Sequence, residues 1–279
     1  MSDVSRNLWL RGAAARLHGV SPDASWTFSP GAIVLLLFAT GAYVVRWRRT
    51  QQSPGRLALF LGGIACVAAA ILSPLDRLAE QLLTMHMVQH LLLLDLAPIL
   101  IILGFTKVLL RPATRRLMAI ERSAGFLMHP AFAVAFYAGA MWIWHVPALY
   151  DAALENSGLH VLEHLVMSFA GGLYWWHVLS PIRPRVPLRG LSGAAYMLST
   201  KVLLGILGVV LTFAPESFYA FYEDQPRYWG LAAREDQAIA GAIMALEQGI
   251  VMGIALAYLF VKLLSESEKE EERAERYAS

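Results

Sequence analysis

Residues 85–104 read MHMVQHLLLLDLAPILIILG, and this stretch decides what kind of fold to expect. A hydrocarbon core roughly 30 Å thick, crossed at 1.5 Å per residue, takes about 20 residues of helix. Between Glu80 and Lys107 only Asp95 carries a formal charge. Working outward, 23–46 and 56–76 are uncharged between their ends, and 122–151 is uncharged but contains His129 and His145. Three more apolar segments follow: 160–179 with Glu163, 191–213 divided by Lys201, and 237–261 with Glu247. The reading is an all-α, polytopic transmembrane helical bundle of about seven spans. Residues 28–263 are its membrane domain, 1–27 an N-terminal tail and 264–279 a charged cytoplasmic tail.

Composition agrees. Of 279 residues, 57% are apolar and 16% charged, with a mean hydropathy of +0.50, whereas soluble domains carry about a quarter charged residues. Net charge is only +2, and charges fall between the apolar blocks, so no basic patch points to nucleic acid. The single cysteine, Cys66, excludes a disulfide framework, a CxxC redox pair and a thiolate zinc site. Any metal must therefore use His, Met or carboxylate ligands.

Loop charge sets the expected orientation, because short cytoplasmic loops retain Lys and Arg. Arg46, Arg48, Arg49 and Arg56 follow span one; Lys107, Arg111, Arg115, Arg116 and Arg122 follow span three; Arg183, Arg185 and Arg189 follow span five. The link holding Asp151 and Glu155 has no basic residue. Seven spans then put the N-terminus outside and the C-terminus in the cytoplasm of a multi-pass protein surrounded by lipid. The N-terminal stretch has Arg6, Arg11 and Arg16 without a following apolar run, so it does not read as a cleaved signal. Residues 3–18 read as an amphipathic helix on the membrane surface or a frayed tail. The aromatic segment FYAFYEDQPRYWG, 218–230, is expected at the membrane interface.

On this topology five of the eight histidines reach one face at similar depth: His86 and His90 from span three, His145 from span four, His160 and His164 from span five. Side chains four apart on a helix project within about 40° of each other, so each HxxxH pair shares a stripe. Met87, Met141 and Met167 each lie within a turn of an imidazole and are candidate soft ligands, although methionine is also a common filler of apolar gaps. Asp95 points about 140° away from His90 on a regular helix and falls outside the group. Imidazole suits copper, zinc, iron and nickel, while thioether favours Cu(I). Copper fits best, and a haem held by two imidazoles is the rival. Zinc is weaker, with only Glu163, about 60° from His160, as a nearby carboxylate. His129 and His177 read as partners of backbone or headgroups. Asp95, Lys201 and Glu247 should turn inward and pair across helices, or Lys201 should reach the surface. Gly62, Gly63, Gly171 and Gly172 read as close-packing positions.

MHMVQHLLLLDLAPILIILG, then WHVPALYDAALENSGLHVLEH, LYWWHVL and REDQAIAGAIM, resemble the CtaG family of cytochrome c oxidase assembly factors, associated with caa3-type oxidases. The resemblance runs over roughly residues 30–262. It implies a non-enzymatic role in maturing the copper-containing membrane subunit of the oxidase in a bacterial plasma membrane. The partners implied are that subunit and a periplasmic copper donor. The family's motif positions fall on His86, His90, His145, His160, His164, Asp236, Gln237 and Gly241; Asp236 and Gln237, with Glu163, are candidate supporting groups. Where a Trp-Val-Pro-Gly-like stretch is expected this chain reads ALEQG, so Glu247 departs from the pattern. The alternatives are a haem- or metal-dependent membrane oxidoreductase using the same histidines, and a structural partner whose histidines brace helices.

Overall fold

Proline punctuates the chain. Among the described residues five helices have one as their first residue: α1 (Pro30–Thr50), α2 (Pro54–Leu72), α3 (Pro74–Ala79), α7 (Pro130–Trp144) and α8 (Pro147–Glu155). There its missing N–H belongs to a group with no intrahelical acceptor anyway, and its fixed φ suits the helix. Between them lie α4 (Leu83–Leu91), a π turn (Leu92–Leu96), α5 (Ala97–Gly104), α6 (Lys107–Ala124) and a 3-10 turn (Gly125–Met128). The chain continues through α9 (Ser157–Leu179), α10 (Leu191–Phe213), the short α11 (Ala220–Glu223) and the 46-residue α12 (Ala233–Ala278). This computed structural model describes residues 21–182, 184–188 and 191–278. The expected amphipathic stretch 3–18, Arg183 and Arg189 lie outside them.

Among the described residues the regular elements are all helical, and four helical stretches are long and apolar enough to cross a membrane: α1, α2, Leu83–Gly104 and Ser192–Phe213. A fifth is reached if α6 and its turn count with α7 as one span, the two being bent by 65°. Their outer surfaces suit lipid: Val34, Leu35, Leu37 and Phe38 on α1 are 66–72% exposed, far more apolar surface than a water-soluble helix presents.

Several details differ from the sequence reading, each for a local reason. Lys201 does not divide the sixth segment, since α10 runs unbroken through it. The fourth, 122–151, is not one helix. Pro130 and Pro147 cut it, and α7 alone, at about 22 Å, is shorter than the hydrocarbon. The basic loop after span three is helical, with Thr106 accepting from Leu109 N at 3.2 Å as its N-cap. Helix α12 carries the charged stretch as its own continuation through residue 278.

Leu83–Gly104 crosses the centre of the bundle and is irregular midway. Pro98 has no N–H for the Leu94 carbonyl and would clash with it in a regular ladder, and the helix widens into the π turn just before it. The freed Leu94 carbonyl lies against α9 at Gly171, where a Cβ would stand 1.8 Å from the Leu94 oxygen. Gly172 has nothing within 4 Å, so of the expected glycine pair one provides the close approach. Gly63 does the same against α5, whereas Gly62 only touches Leu100. Helices α10 and α12 form the most extensive helix pair, meeting backbone to backbone at Gly208 and Gly241.

Candidate metal centre

Three helix ends converge to build the centre. Helix α4 begins with no cap of its own; instead the Asp236 carboxylate, from the first turn of α12, accepts from Leu83 N (2.6 Å) and Thr84 N (3.1 Å). These are two of the orphan donors every helix start exposes, and satisfying them fixes the turn that carries His86. Helix α9 begins at Asn156, whose Oδ1 accepts from Gly158 N and Leu159 N, setting His160, Glu163 and His164 within its first two turns. Helix α7 ends at His145, whose Nδ1 donates to the Met141 carbonyl at 2.7 Å. That bond fixes the ring's tautomer and leaves Nε2 with its lone pair.

The imidazoles meet. His86 Nε2 and His90 Nε2 are 2.8 Å apart; two nitrogens sharing one metal at about 2.0 Å, at an angle near 90–110°, stand about 2.8–3.3 Å apart. His86 and His160 rings lie 5.5 Å apart centroid to centroid, His160 and His164 4.3 Å, His90 and His164 6.0 Å. His145 stands at the rim, 6.4 Å from His90. Glu163 Oε1 is 3.5 Å from His90 Nε2 and 3.8 Å from His86 Nε2, and His86, His160 and Glu163 each bring a ligand atom within 4.8 Å of the other two.

This nest is short of partners. His86 Nδ1, His90 Nδ1, His145 Nε2, His160 Nε2, His164 Nε2 and both Glu163 oxygens are buried without a hydrogen bond. Buried polar atoms are bonded in the great majority of cases. Seven such atoms on six neighbouring side chains, with the His86 and His90 Nε2 atoms paired only with each other, are the pattern of a site built for an ion. The donor set of imidazoles and one carboxylate fits a borderline transition metal.

Of the candidate supporting groups, Glu163 lies inside the cluster. Asp236 holds α4 from its end and touches none of the imidazoles by hydrogen bond. Gln237 bonds elsewhere, accepting from Phe218 N (2.7 Å) and donating to the Leu211 and Glu216 carbonyls (3.3 Å each). Met87 and Met141 are buried beside His90, while Met167 is packed in the same apolar core. His129 accepts from Ala131 N, and His177 contacts the Leu173 and Met128 carbonyls, both as expected backbone partners.

Asp95 differs from expectation. In the π turn each residue bonds five rather than four positions on, so the residue five beyond His90 returns close to its own face, and the two line one small cavity. Asp95 accepts from Tyr137 Oη (2.7 and 2.8 Å) and Trp175 Nε1 (2.6 Å). Glu247 lines the same small cavity, and the cross-helix hydrogen bonds of Asp95 come from neutral donors. Lys201 is half-buried on α10.

The sequence reading missed the aromatic lid. Tyr150 on α8 stacks 5.0 Å from His86 and 5.9 Å from His145, and Tyr219 packs on Tyr150 at 4.2 Å. Tyr219 Oη donates to the His145 carbonyl (3.3 Å) and Tyr222 Oη to the Ala79 carbonyl (2.8 Å). Burial pushes the Tyr222 hydroxyl well above the ordinary phenol range, so it remains a donor. Part of the aromatic 218–230 segment therefore turns inward. For Glu163 a signal was present: HVLEH, 160–164, has the H-x-x-E-H spacing that puts two imidazoles and a carboxylate on one helix end.

Residues 20–266 match the family described as cytochrome c oxidase caa3 assembly factor (Caa3_CtaG). The chain belongs to that family. The chain is also similar to uncharacterized proteins of Mycobacterium bovis and Mycobacterium tuberculosis, each 23% identical over 76% of this chain and 34% of their own length. An uncharacterized protein of Mycobacterium leprae is 21% identical over 91% of this chain and 41% of its own. The caa3 family member thus spans roughly a third to two-fifths of these relatives. No solved structure matches it.

Proposed function

We propose that the protein receives copper as Cu(I) at the cluster of His86, His90, His160, His164 and Glu163, with His145 at the rim, and passes it to the copper-bearing subunit of cytochrome c oxidase during assembly. Copper is cargo: metal–nitrogen bonds exchange and no bond in an organic substrate is made or broken. The setting is the outer face of a bacterial plasma membrane, in a seven-span topology with the N-terminus outside, and an external copper donor supplies the ion. The observation that carries this reading is the set of seven buried ligand atoms without partners in a chain of an oxidase assembly family. Glu163 supplies a negative charge that offsets the cation's in a dry site.

Metal analysis and the visible spectrum of detergent-purified protein test this. Copper without a Soret band is expected. Replacing His86 and His90 together, or His160 and His164 together, should remove it while the amount of protein in the membrane holds. Copper surviving both double replacements would make the cluster a helix brace. Cysteine accessibility at Ala113 should report the cytoplasm and at Asn156 the outside.

A further inference from the structure

Behind His90, away from the other imidazoles, a cavity of about 10 Å³ is lined by Met87, Met141 and Met244. The three come from α4, α7 and α12, and each is at most 3% exposed. The volume is near what one water or one bare ion occupies. A methionine that merely fills a gap closes it; here three thioethers from three helices border one that stays open. The far wall is polar. Gln248, 2% exposed, donates to Glu247 Oε2 at 2.7 Å, and its own Oε1 has no partner. Asp95 and Glu247 stand beside it.

We propose that this cavity is a second binding station for a soft monovalent cation, ligated by Met87, Met141 and Met244 and joined to the imidazole cluster through His90. Thioether sulfur selects Cu(I) and its analogue Ag(I) over hard divalent ions, and the Gln248 carbonyl and the carboxyl wall favour positive charge. The stations are chemically graded: nitrogen and carboxylate at one end, sulfur at the other. The inference extends the reading of the chain as a copper handler, but the two are separable by measurement.

The probe is Ag(I) added to the full chain in detergent. Wild type should bind about two equivalents, one of them with sulfur neighbours in the X-ray absorption spectrum. Met87→Leu/Met141→Leu/Met244→Leu, a volume-conserving change, should lose the sulfur signal and about one equivalent. His160→Ala/His164→Ala should keep the sulfur signal. If the imidazole variants lose nothing while sulfur ligation is seen, the cluster reading falls and the second station stands. If wild type shows no sulfur neighbour, the station falls and the cluster is untouched. Selenomethionine-labelled wild type gives a test that needs no variant: a silver neighbour at the selenium edge supports the station, and its absence overturns it.

Discussion

Two polar nests share the span Leu83–Gly104. Around Asp95, hydrogen bonds come from Tyr137 and Trp175, and Glu247 lies alongside. Around His86 and His90, one helical turn or so away, seven ligand-type atoms are buried and unpaired. Each such atom costs about 1–3 kcal/mol in a resting fold, so the histidine nest is carried at the expense of stability and the Asp95 nest supports it. The difference separates a latch from a socket: substitutions in the first should act on folding, and in the second on the ion.

The sharpest way to break the latch is Gly171→Ala. Its Cβ would meet the Leu94 oxygen at 1.8 Å, so α9 and the π turn must part, at a cost above about 3 kcal/mol. Thermal unfolding in detergent and the amount of protein in the membrane should both collapse; a variant within about 1 kcal/mol of wild type would show that the close approach is dispensable. Next, Tyr137→Phe removes the donor to Asp95, worth about 1.5–3 kcal/mol for a bond to a charged group, yet bound copper should stay. Loss of copper with unchanged unfolding would merge the nests. Third, Asp236→Ala uncaps α4. It should lower stability by about 0.5–2 kcal/mol and weaken copper binding by about tenfold, as loss of a supporting group around a metal does. The smallest effect sharpens the contrast most. His164→Leu deletes a nitrogen with no partner, so metal-free stability should hold within about 0.5 kcal/mol or rise, while copper affinity drops. A large destabilisation would mean that His164 braces the bundle.

The apolar blocks made the helices legible, and HxxxH spacing with loop charge brought five histidines together before any coordinates. Three things were not legible. Proline cut the 122–151 segment, which hydropathy alone cannot register. Glu163 was placed beside the cluster because angular arithmetic from His160 ignores what α4 brings to the same space. Asp95 does stand apart from the imidazoles, but its bonds to Tyr137 and Trp175 depend on a π turn set by Pro98 and a glycine 73 positions away, which no regular-helix angle contains. Gln248 sits in ALEQG, where the chain departs from the family pattern, and Met244 closes REDQAIAGAIM just before it, too far along the chain from any imidazole for spacing to draw attention to either.

The π turn has one more consequence. It gives the span a surplus residue without turning its two halves against each other, because five residues of π turn carry the chain about as far round as four of α-helix. Deleting one leucine from 92–94 would therefore close the hydrogen-bond ladder and leave the histidines and the approach of Gly104 to Phe60 nearly where they are. The change would fall on the middle of the span, where the wide turn presents Asp95 to Tyr137 and Trp175 and the Leu94 carbonyl to Gly171.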